Sequence, residues 1–346
     1  MTTIGIAMSG GVDSSVSAAI LREKGMNVHG FFMRLPVPRV GEHVRRVREV
    51  AARLDIPLTV VDMEREFSRK VLRVFIETYR LGQTPNPCVI CNRAVKFGAL
   101  LERMKEYGME KIATGHYARI GRTGSGRLAV RRGADPAKDQ SYFLCRLEKE
   151  CLAAIEFPLG DKTKEEVRKL AARLGLAGVH GPESQDVCFL AGRTLDAFFA
   201  DQGIREDPGE IVTTGGRVIG RHQGLFRYTI GQRRGLGLPD ETPWYVVRLD
   251  ARNNRVIVAK KEELLTSRAL VVAVRWLDGP VSPWEGLVQI RGRQRPTPAR
   301  VKQVSPDAWE IVFEEKQRAV TPGQFAAFYD GDIVCGSGVL TEFSEQ

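Results

Sequence analysis

A glycine-rich turn that joins an apolar strand to an amphipathic helix constrains the fold of this chain more than any other feature. Residues 4–8 form an apolar run typical of a buried strand, and the apolar positions of residues 12–24 recur with the period of a helix. Only Ser9, Gly10 and Gly11 separate the two. A strand that enters a helix through so short a turn is typical of the first unit of a parallel α/β sheet.

The same alternation of strand and helix continues after this first unit. Residues 28–33 and 58–61 are apolar runs that predict strands, and residues 42–54 between them have a helical period of valine and leucine. Three strands alternating with two helices predict an α/β fold with a doubly wound parallel sheet. Such sheets bind ligands at the carboxyl ends of their strands, so the glycine-rich turn lies where a ligand is expected.

The second half of the chain has a different pattern. Residues 244–248 and 256–259 flank Asn253 and Asn254, which predicts a β-hairpin. Further short alternating segments predict a small β-barrel or sandwich. These segments are residues 270–276, 287–292, 299–304, 309–313, 324–328 and 333–340.

The change of pattern predicts three domains. We expect a catalytic doubly wound domain over residues 1–200, a small central domain over residues 201–266 and a C-terminal β-barrel over residues 267–346. The chain has 346 residues, and its 52 lysines and arginines exceed its 42 acidic residues by a net charge of +10. Nine of those excess charges lie in residues 1–200, so a polyanionic partner is expected to contact the first domain.

The sequence also argues against a membrane-spanning or secreted protein and against a disulfide-stabilised scaffold. No run of about 18 apolar residues is long enough to span a membrane, and the first residues lack the basic start and apolar core of a signal peptide. Six cysteines are too few for a disulfide scaffold in a chain of this length. We therefore expect a cytoplasmic protein with no membrane partner.

The residue types in the glycine-rich turn indicate a phosphate site. Glycines let backbone N–H groups converge, and the N-terminus of the following helix adds positive potential. The Lys-Ser/Thr pair of a Walker loop is absent from residues 9–15. Asp13 would repel an anionic ligand unless Mg²⁺ lies between them. The pattern therefore favours a pyrophosphate group held by the backbone, by hydroxyl groups and by a metal ion.

Two cysteines lie close together in the sequence, Cys88 and Cys91. Their Cys-x-x-Cys spacing indicates a metal site, a redox dithiol or catalytic chemistry. Pro85, Pro87 and Asn92 around them predict an exposed turn.

Residues 9–14 resemble the Ser-Gly-Gly-x-Asp-Ser signature of the PP-loop ATP pyrophosphatases. Members of that superfamily cleave ATP between the α and β phosphates to adenylate an oxygen atom. Further segments, in order along nearly the whole chain, are similar to the tRNA-specific 2-thiouridylases. These segments are residues 84–92, 96–97, 113–117, 138–143, 184–189, 231–237 and 321–324. The resemblance implies ATP-dependent 2-thiolation of the wobble uridine of tRNA.

The resemblance also implies how the sulfur is transferred. After adenylation of the uridine O2, Cys188 is expected to carry a persulfide sulfur that attacks the activated carbon, because sulfur is a good nucleophile. Cys91 is expected to act as its partner, by releasing the sulfur or by forming a disulfide with Cys188. A sulfur-carrier protein is expected to donate the sulfur. Both cysteines are expected in loops near the strand ends.

The family's substrate contacts carry over to matching positions of this sequence. ATP is expected to contact a first set, in which Asp13 is linked to Mg²⁺: Ala7, Met8, Ser9, Gly10, Gly11, Val12, Asp13, Ser14, Met33 and Gly115. The anticodon stem-loop of tRNA is expected to contact a second set: Asn86, Pro87, Cys88, His116, Lys138, Asp139, Gln140, Arg291, Gly292 and Gln324. His116 has the side chain of a general acid. The resemblance implies an RNA or phosphate contact for it instead.

Cys88 departs from the family pattern, in which an acidic residue commonly precedes the partner cysteine by three positions. Cys88, Cys91 and Cys188 together are a candidate ligand set for a 4Fe–4S cluster with one open iron. Zinc prefers a fourth protein ligand. A redox dithiol and an inert Cys88 stay open as alternatives.

Two other functions stay open at this point. One is a PP-loop ligase that forms a small amide, although the sequence has no sign of an ammonia source. The other is a non-catalytic iron–sulfur or redox protein that binds tRNA. The oligomeric state is unknown.

Overall fold

The structure is a computed structural model that describes residues 2–176 and 187–342. The chain forms two compact units. The first comprises Met1–Leu72, Pro87–Ala191 and Asp332–Cys335, and the second comprises Arg73–Asn86, Gly192–Gly331 and Gly336–Gln346. The expected boundaries near residues 200 and 266 stay a prediction.

The described residues contain strands, α-helices, two π-helices and short 3₁₀ turns. The strands are β1 Thr3–Ala7, β2 Asn27–Arg34, β3 Leu58–Asp62, β4 Lys111–Ala113, β5 Ala118–Arg122, β6 Leu128–Arg132, β7 Ile155–Glu156, β8 Gly209–Thr213, β9 Val218–His222, β10 Tyr245–Asp250, β11 Arg255–Ala259, β12 Leu265–Trp276, β13 Trp284–Gln289, β14 Thr297–Gln303, β15 Ala308–Arg318, β16 Phe325–Asp330 and β17 Ile333–Thr341. The α-helices are α1 Val12–Glu23, α2 Val40–Arg53, α3 Glu64–Phe67, α4 Arg73–Arg80, α5 Pro87–Cys91, α6 Leu101–Glu106, α7 Lys164–Arg173 and α8 Leu195–Asp201, and the π-helices are π1 Ser68–Leu72 and π2 Asn92–Leu100. None of these helices has both the length and the apolar character needed to cross a membrane.

The first unit contains a parallel sheet of five strands in the order β3-β2-β1-β4-β7. This confirms the predicted α/β fold. The chain leaves β1 at the point where the strand order reverses, with β2 on one side and β4 on the other. Open α/β sheets bind their ligands at this crevice, so the topology places the turn before α1 at the expected ligand position.

Apolar residues of the sheet and its helices form the core of the first unit. Ile4 and Ile6 of β1, Val16 of α1 and Val47 and Val50 of α2 are all completely buried. The apolar run of β1 and the helical period along α1 and α2 therefore bury the residues that predicted these elements.

The second unit contains the β-rich half of the chain. A four-stranded sheet has the order β10-β11-β8-β9, in which β10 and β11 form the predicted hairpin. Six further strands follow the order β12-β15-β14-β13-β16-β17, and pairing of β12 with β17 closes them into a barrel. The C-terminal β-barrel prediction is confirmed. Closure removes the exposed sheet edges that promote aggregation.

Shortening a side chain in the first core tests this arrangement. Ile6→Ala should lower the free energy of unfolding by about 2–5 kcal/mol, because it leaves a cavity beside fully packed neighbours. Leu81→Ala is the control, since Leu81 is 66% exposed and should change that energy by less than about 0.5 kcal/mol. Urea unfolding followed by circular dichroism measures both. Equal effects of the two substitutions would contradict the central position of β1.

Candidate active site

The turn between β1 and α1 leads into a helix N-terminus that no side chain of the described residues caps. Ser14 Oγ accepts a hydrogen bond from Ser9 N (3.2 Å) and donates to Gly11 O (3.1 Å), which holds the turn closed. Gly11 is the N-cap of α1, and in the described part of the chain no side chain caps the N–H groups of the first turn. Uncapped N–H groups at a helix N-terminus attract phosphate oxygens.

Asp13 is held in this turn by two residues from distant parts of the chain. Lys164 Nζ lies 2.8 Å from Asp13 Oδ1 and 2.9 Å from Oδ2, and the Tyr117 hydroxyl donates to Oδ1 (2.8 Å). The Lys164 side chain is only 8% exposed. A lysine so buried needs an anionic partner, and Asp13 supplies it. The carboxylate is therefore oriented and its charge is balanced.

The contact of Lys164 with Asp13 was not predicted from the sequence. Lys164 is the first residue of α7, where Thr163 and Glu166 form a capping box. The Thr-x-x-Glu spacing is a sequence signal for a helix start. It predicts where α7 begins, but it carries no sign that Lys164 contacts a carboxylate 151 positions away.

Gly115 and Met33 lie near the turn, as the nucleotide prediction requires. A Cβ atom on Gly115 would lie 2.8 Å from the backbone carbon of Asp13 and 2.8 Å from Ser14 N, so this close approach requires glycine. Met33 is at the carboxyl end of β2, the strand that pairs with β1. The N–H groups, the hydroxyls and the carboxylate of this turn fit a nucleotide pyrophosphate with Mg²⁺. The usual ligands of Mg²⁺ in such sites are one or two carboxylates and the phosphates themselves.

Cys88 and Cys91 lie in a helix and not in the loop that we expected. Residues 87–91 form α5, and π2 follows directly. Proline is compatible with the first turn of a helix, where its missing N–H has no partner to lose, so Pro87 begins α5. The π-helical geometry of π2 is rare and occurs frequently at functional sites.

Cys188 lies in a turn, as expected. Cys88 and Cys188 reach the surface, whereas Cys91 is half-buried, and all three are free thiols. Residues 184–186, which belong to the same family segment as Cys188, lie outside the described residues.

The structure brings the three thiols into one site with Lys96. Although Cys188 reaches the surface, the surrounding protein removes enough water to raise its pKa to about 11, and the Cys88 thiol raises it further. Burial raises the pKa of Cys91 to about 12, while Lys96 opposes this and the Cys188 and Cys88 thiols add to it. Cys88 also reaches the surface, but desolvation by the surrounding protein raises its pKa, and Lys96 again lowers it. All three thiols are therefore protonated at neutral pH.

The structure does not support the predicted iron–sulfur site. In residues 2–176 and 187–342, no three histidine, cysteine, aspartate or glutamate side chains form a group that could hold a metal ion. Cys88, Cys91 and Cys188 all belong to those residues. Their sulfurs affect each other's ionisation through space without forming the shared ligand set that a cluster needs.

The His116 side chain is buried in the first unit. Its ring is between Phe97 and Phe157, at centroid distances of 6.0 and 5.9 Å, and its Nδ1 is 2.7 Å from Thr114 Oγ1. Burial lowers the pKa of His116 well below the usual value, and Lys96 lowers it further. The ring is neutral and cannot attract a phosphate by charge, so its contact with RNA stays a prediction.

Asp139 and Gln140, which were expected to contact RNA, form hydrogen bonds within the protein. The Asp139 carboxylate accepts hydrogen bonds from Gly133 N (3.0 Å) and Ser141 N (3.0 Å), and Gln140 Oε1 accepts from Tyr117 N (3.0 Å). These bonds fix the segment that contains Lys138. Whether it contacts RNA stays a prediction.

In the second unit, Arg291, Gln324 and Asn86 each make contacts within the protein. Arg291 donates from one guanidinium nitrogen to Ala319 O (2.8 Å) and Thr321 Oγ1 (2.6 Å). Gly292 follows Arg291 directly. Gln324 and Asn86 are hydrogen-bonded to each other.

Three protein-family models match the chain in succession. The tRNA methyl transferase HUP domain matches residues 2–192, the tRNA methyl transferase PRC-barrel domain matches residues 197–260, and the aminomethyltransferase beta-barrel domain matches residues 267–340.

Curated relatives are similar over nearly their whole length. The tRNA-specific 2-thiouridylase MnmA of Trichlorobacter lovleyi is 44% identical over 343 residues, which cover 98% of this chain and 97% of the relative. The protein of the same name from Chloroflexus aggregans is 44% identical over 353 residues, which cover 98% of each.

Similarity to solved structures is weaker. A 4-thiouridine synthetase in complex with RNA and ATP has a TM-score of 0.37 and 16% identity, over 55% of this chain and 45% of that chain. A predicted subunit of tRNA methyltransferase from Methanocaldococcus jannaschii has a TM-score of 0.37 and 20% identity, over 59% of this chain and 89% of that chain. Scores this low support no conclusion about function.

The raised thiol pKa values predict slow alkylation at neutral pH. The rate for Cys188, which is exposed, should rise about tenfold per pH unit toward a pKa of about 11, because only the thiolate reacts. Lys96→Met should slow the reaction, since it removes the cation that lowers the pKa, and Lys96→Arg is the matched control. Iodoacetamide labelling with mass spectrometry of the Cys188 peptide measures the rates. A plateau at about pH 8.5, the pKa of an unperturbed cysteine, would contradict the prediction.

Proposed function

This chain belongs to the tRNA-specific 2-thiouridylase family, and we propose that it uses ATP to replace O2 of the wobble uridine of tRNA with sulfur. It is a sulfurtransferase by that membership. The observation that carries the proposal is that the first unit contains both an uncapped helix N-terminus beside Asp13 and a site of three thiols with Lys96. The first fits activation by ATP and the second fits sulfur transfer.

Activation depends on the turn before α1. The N–H groups of its first helical turn bind the pyrophosphate part of ATP, and Lys164 and Tyr117 orient Asp13 toward it. Asp13 would hold Mg²⁺, and the ion would supply positive charge to neutralise the phosphates. Adenylation converts O2 of the uridine into part of a good leaving group, AMP.

Sulfur transfer then uses Cys188 and Cys91. Cys188 is exposed, so a sulfur-carrier protein can reach it and leave a persulfide. The terminal sulfur forms a bond to C2 of the uridine while AMP leaves with the original oxygen. Cys91 then attacks Cys188 Sγ, and the electron pair of the broken S–S bond stays on the sulfur of the nucleoside. The resulting Cys91–Cys188 disulfide is reduced by an external thiol before the next turnover.

Lys96 supports this sequence of steps electrostatically. It is the cation that lowers the pKa of both Cys91 and Cys188. A positive charge beside the two sulfurs stabilises the anion that each step requires. We assign it the role of promoting ionisation when the persulfide is present.

No specific observation favours the alternative functions. An iron–sulfur route needs a three-thiol metal group, which the described residues do not form. The hypothesis of an amide-forming ligase gives the three thiols no role. We propose that the substrate is the anticodon stem-loop of tRNA and that a sulfur-carrier protein is the donor. The proposed location of the reaction is the cytoplasm.

Replacing Asp13 tests the activation step. Asp13→Asn should abolish tRNA-dependent release of pyrophosphate, because it removes the charge that holds both Mg²⁺ and Lys164. Binding of tRNA should change little, since RNA phosphates contact many other residues. Asp55→Asn is the control, because the Asp55 side chain is 91% exposed. Normal pyrophosphate release from Asp13→Asn would disprove the assignment of the turn.

Two cysteine variants distinguish a persulfide from a cluster. Cys188→Ser should still consume ATP and accumulate adenylated tRNA without forming thiouridine, because activation uses other residues. Cys88→Ala should keep thiolation with a persulfide donor in air, since that route needs only Cys91 and Cys188. Nucleoside mass spectrometry measures both products. If Cys88→Ala loses bound iron and thiolation together, the cluster route replaces the persulfide route.

A further inference from the structure

The Gln324 side chain is hydrogen-bonded to Thr84, Pro85 and Asn86, the three residues that precede α5. Its Nε2 donates to Thr84 O (2.9 Å) and to Pro85 O (3.1 Å), and its Oε1 accepts from Asn86 Nδ2 (3.3 Å). An amide nitrogen has two hydrogens, and both are used here. The side chain therefore acts within the protein as a clamp on residues 84–86.

The two residues before Gln324 are shaped for the same contact. Thr84 N donates to Pro322 O (2.9 Å). Gly323 has a φ of +87°, and a Cβ atom there would lie 2.9 Å from Thr84 O and 3.0 Å from Gln83 Cβ. Only glycine combines this dihedral angle with so close an approach. Both segments are therefore built to fit each other.

The clamped segment contains an unsatisfied hydroxyl group. Thr84 Oγ1 is buried and has no hydrogen-bond partner among the residues that the structure describes. Such a group is unfavourable, so a backbone that buries it needs other contacts to hold it in place. The bonds from Gln324 and Pro322 are contacts of this kind.

The chain carries this restraint directly into the cysteine helix. Asn86 is followed by Pro87, the first residue of α5, which contains Cys88 and Cys91. Pro85 and Pro87 have fixed φ angles, and each proline restricts the residue before it. No residue separates Asn86 from α5, so fixing residues 84–86 also restrains the first residue of that helix.

We propose that Gln324 is a positioning residue for sulfur transfer, which fixes residues 84–86 so that α5 presents Cys91 to Cys188. This inference rests on the proposed function. It differs from the RNA contact expected of Gln324, because both amide hydrogens already bind the protein's own backbone.

Two substitutions at Gln324 test this role. Gln324→Ala removes the whole clamp, and Gln324→Glu keeps its size but removes both donors. Each should speed hydrogen exchange in residues 84–91 and slow single-turnover thiolation at saturating tRNA by roughly ten- to a hundredfold, as small displacements of reacting groups do. The affinity for tRNA should stay unchanged. Gln303→Ala is the matched control, because Gln303 is an exposed glutamine of the same barrel whose side chain donates to the nearby Pro306 O (3.3 Å).

The opposite pattern would overturn the proposal. Weaker tRNA binding, unchanged hydrogen exchange in residues 84–91 and full recovery of the rate at saturating tRNA would make Gln324 an RNA contact. If the wild-type protein forms no thiouridine, the proposed function fails by itself. Hydrogen exchange and the alkylation rate of Cys91 then still decide whether Gln324 positions α5.

Discussion

The ion pair between Lys164 and Asp13 is the interaction on which the active site depends. It joins the first turn of α1 to the first turn of α7 across 151 positions of sequence, in surroundings that leave Lys164 almost no water. Removing either partner from a pair like this leaves an uncompensated charge, which is far more costly than losing a surface salt bridge. Tyr117 and Gly115 hold the same turn from the strand end of β4. The proposed phosphate site is thus assembled from three separate parts of one unit.

Local sequence signals predicted the elements that carry the site. The apolar period of residues 12–24 and the glycines before it located α1, and the chemistry of Asp13 indicated a metal-linked phosphate site. The alternating segments of the second half predicted the barrel. The helices and strands were accessible because each depends on residues that lie close together along the chain. The metal-linked phosphate site stays a prediction.

The features that the sequence did not predict depend on distant contacts or on competing signals. Pro85 and Pro87 indicated a turn, but Pro87 begins α5, because the first position of a helix needs no N–H donor. Lys164 has no local sign of its partner. Asn86 and Gln324 are polar residues that were expected to contact tRNA, yet they bind each other across 238 positions. Side-chain chemistry alone does not distinguish a residue that contacts substrate from one that holds the protein.

The raised pKa values of the thiols have a consequence for the enzyme at rest. Peroxides and electrophiles in a cell react with thiolates and hardly with thiols, so Cys91 and Cys188 are resistant to such damage while they are protonated. An exposed sulfur on a long-lived protein is otherwise a common target of oxidation. The same desolvation that slows the free thiols therefore keeps the enzyme intact between encounters with its substrates.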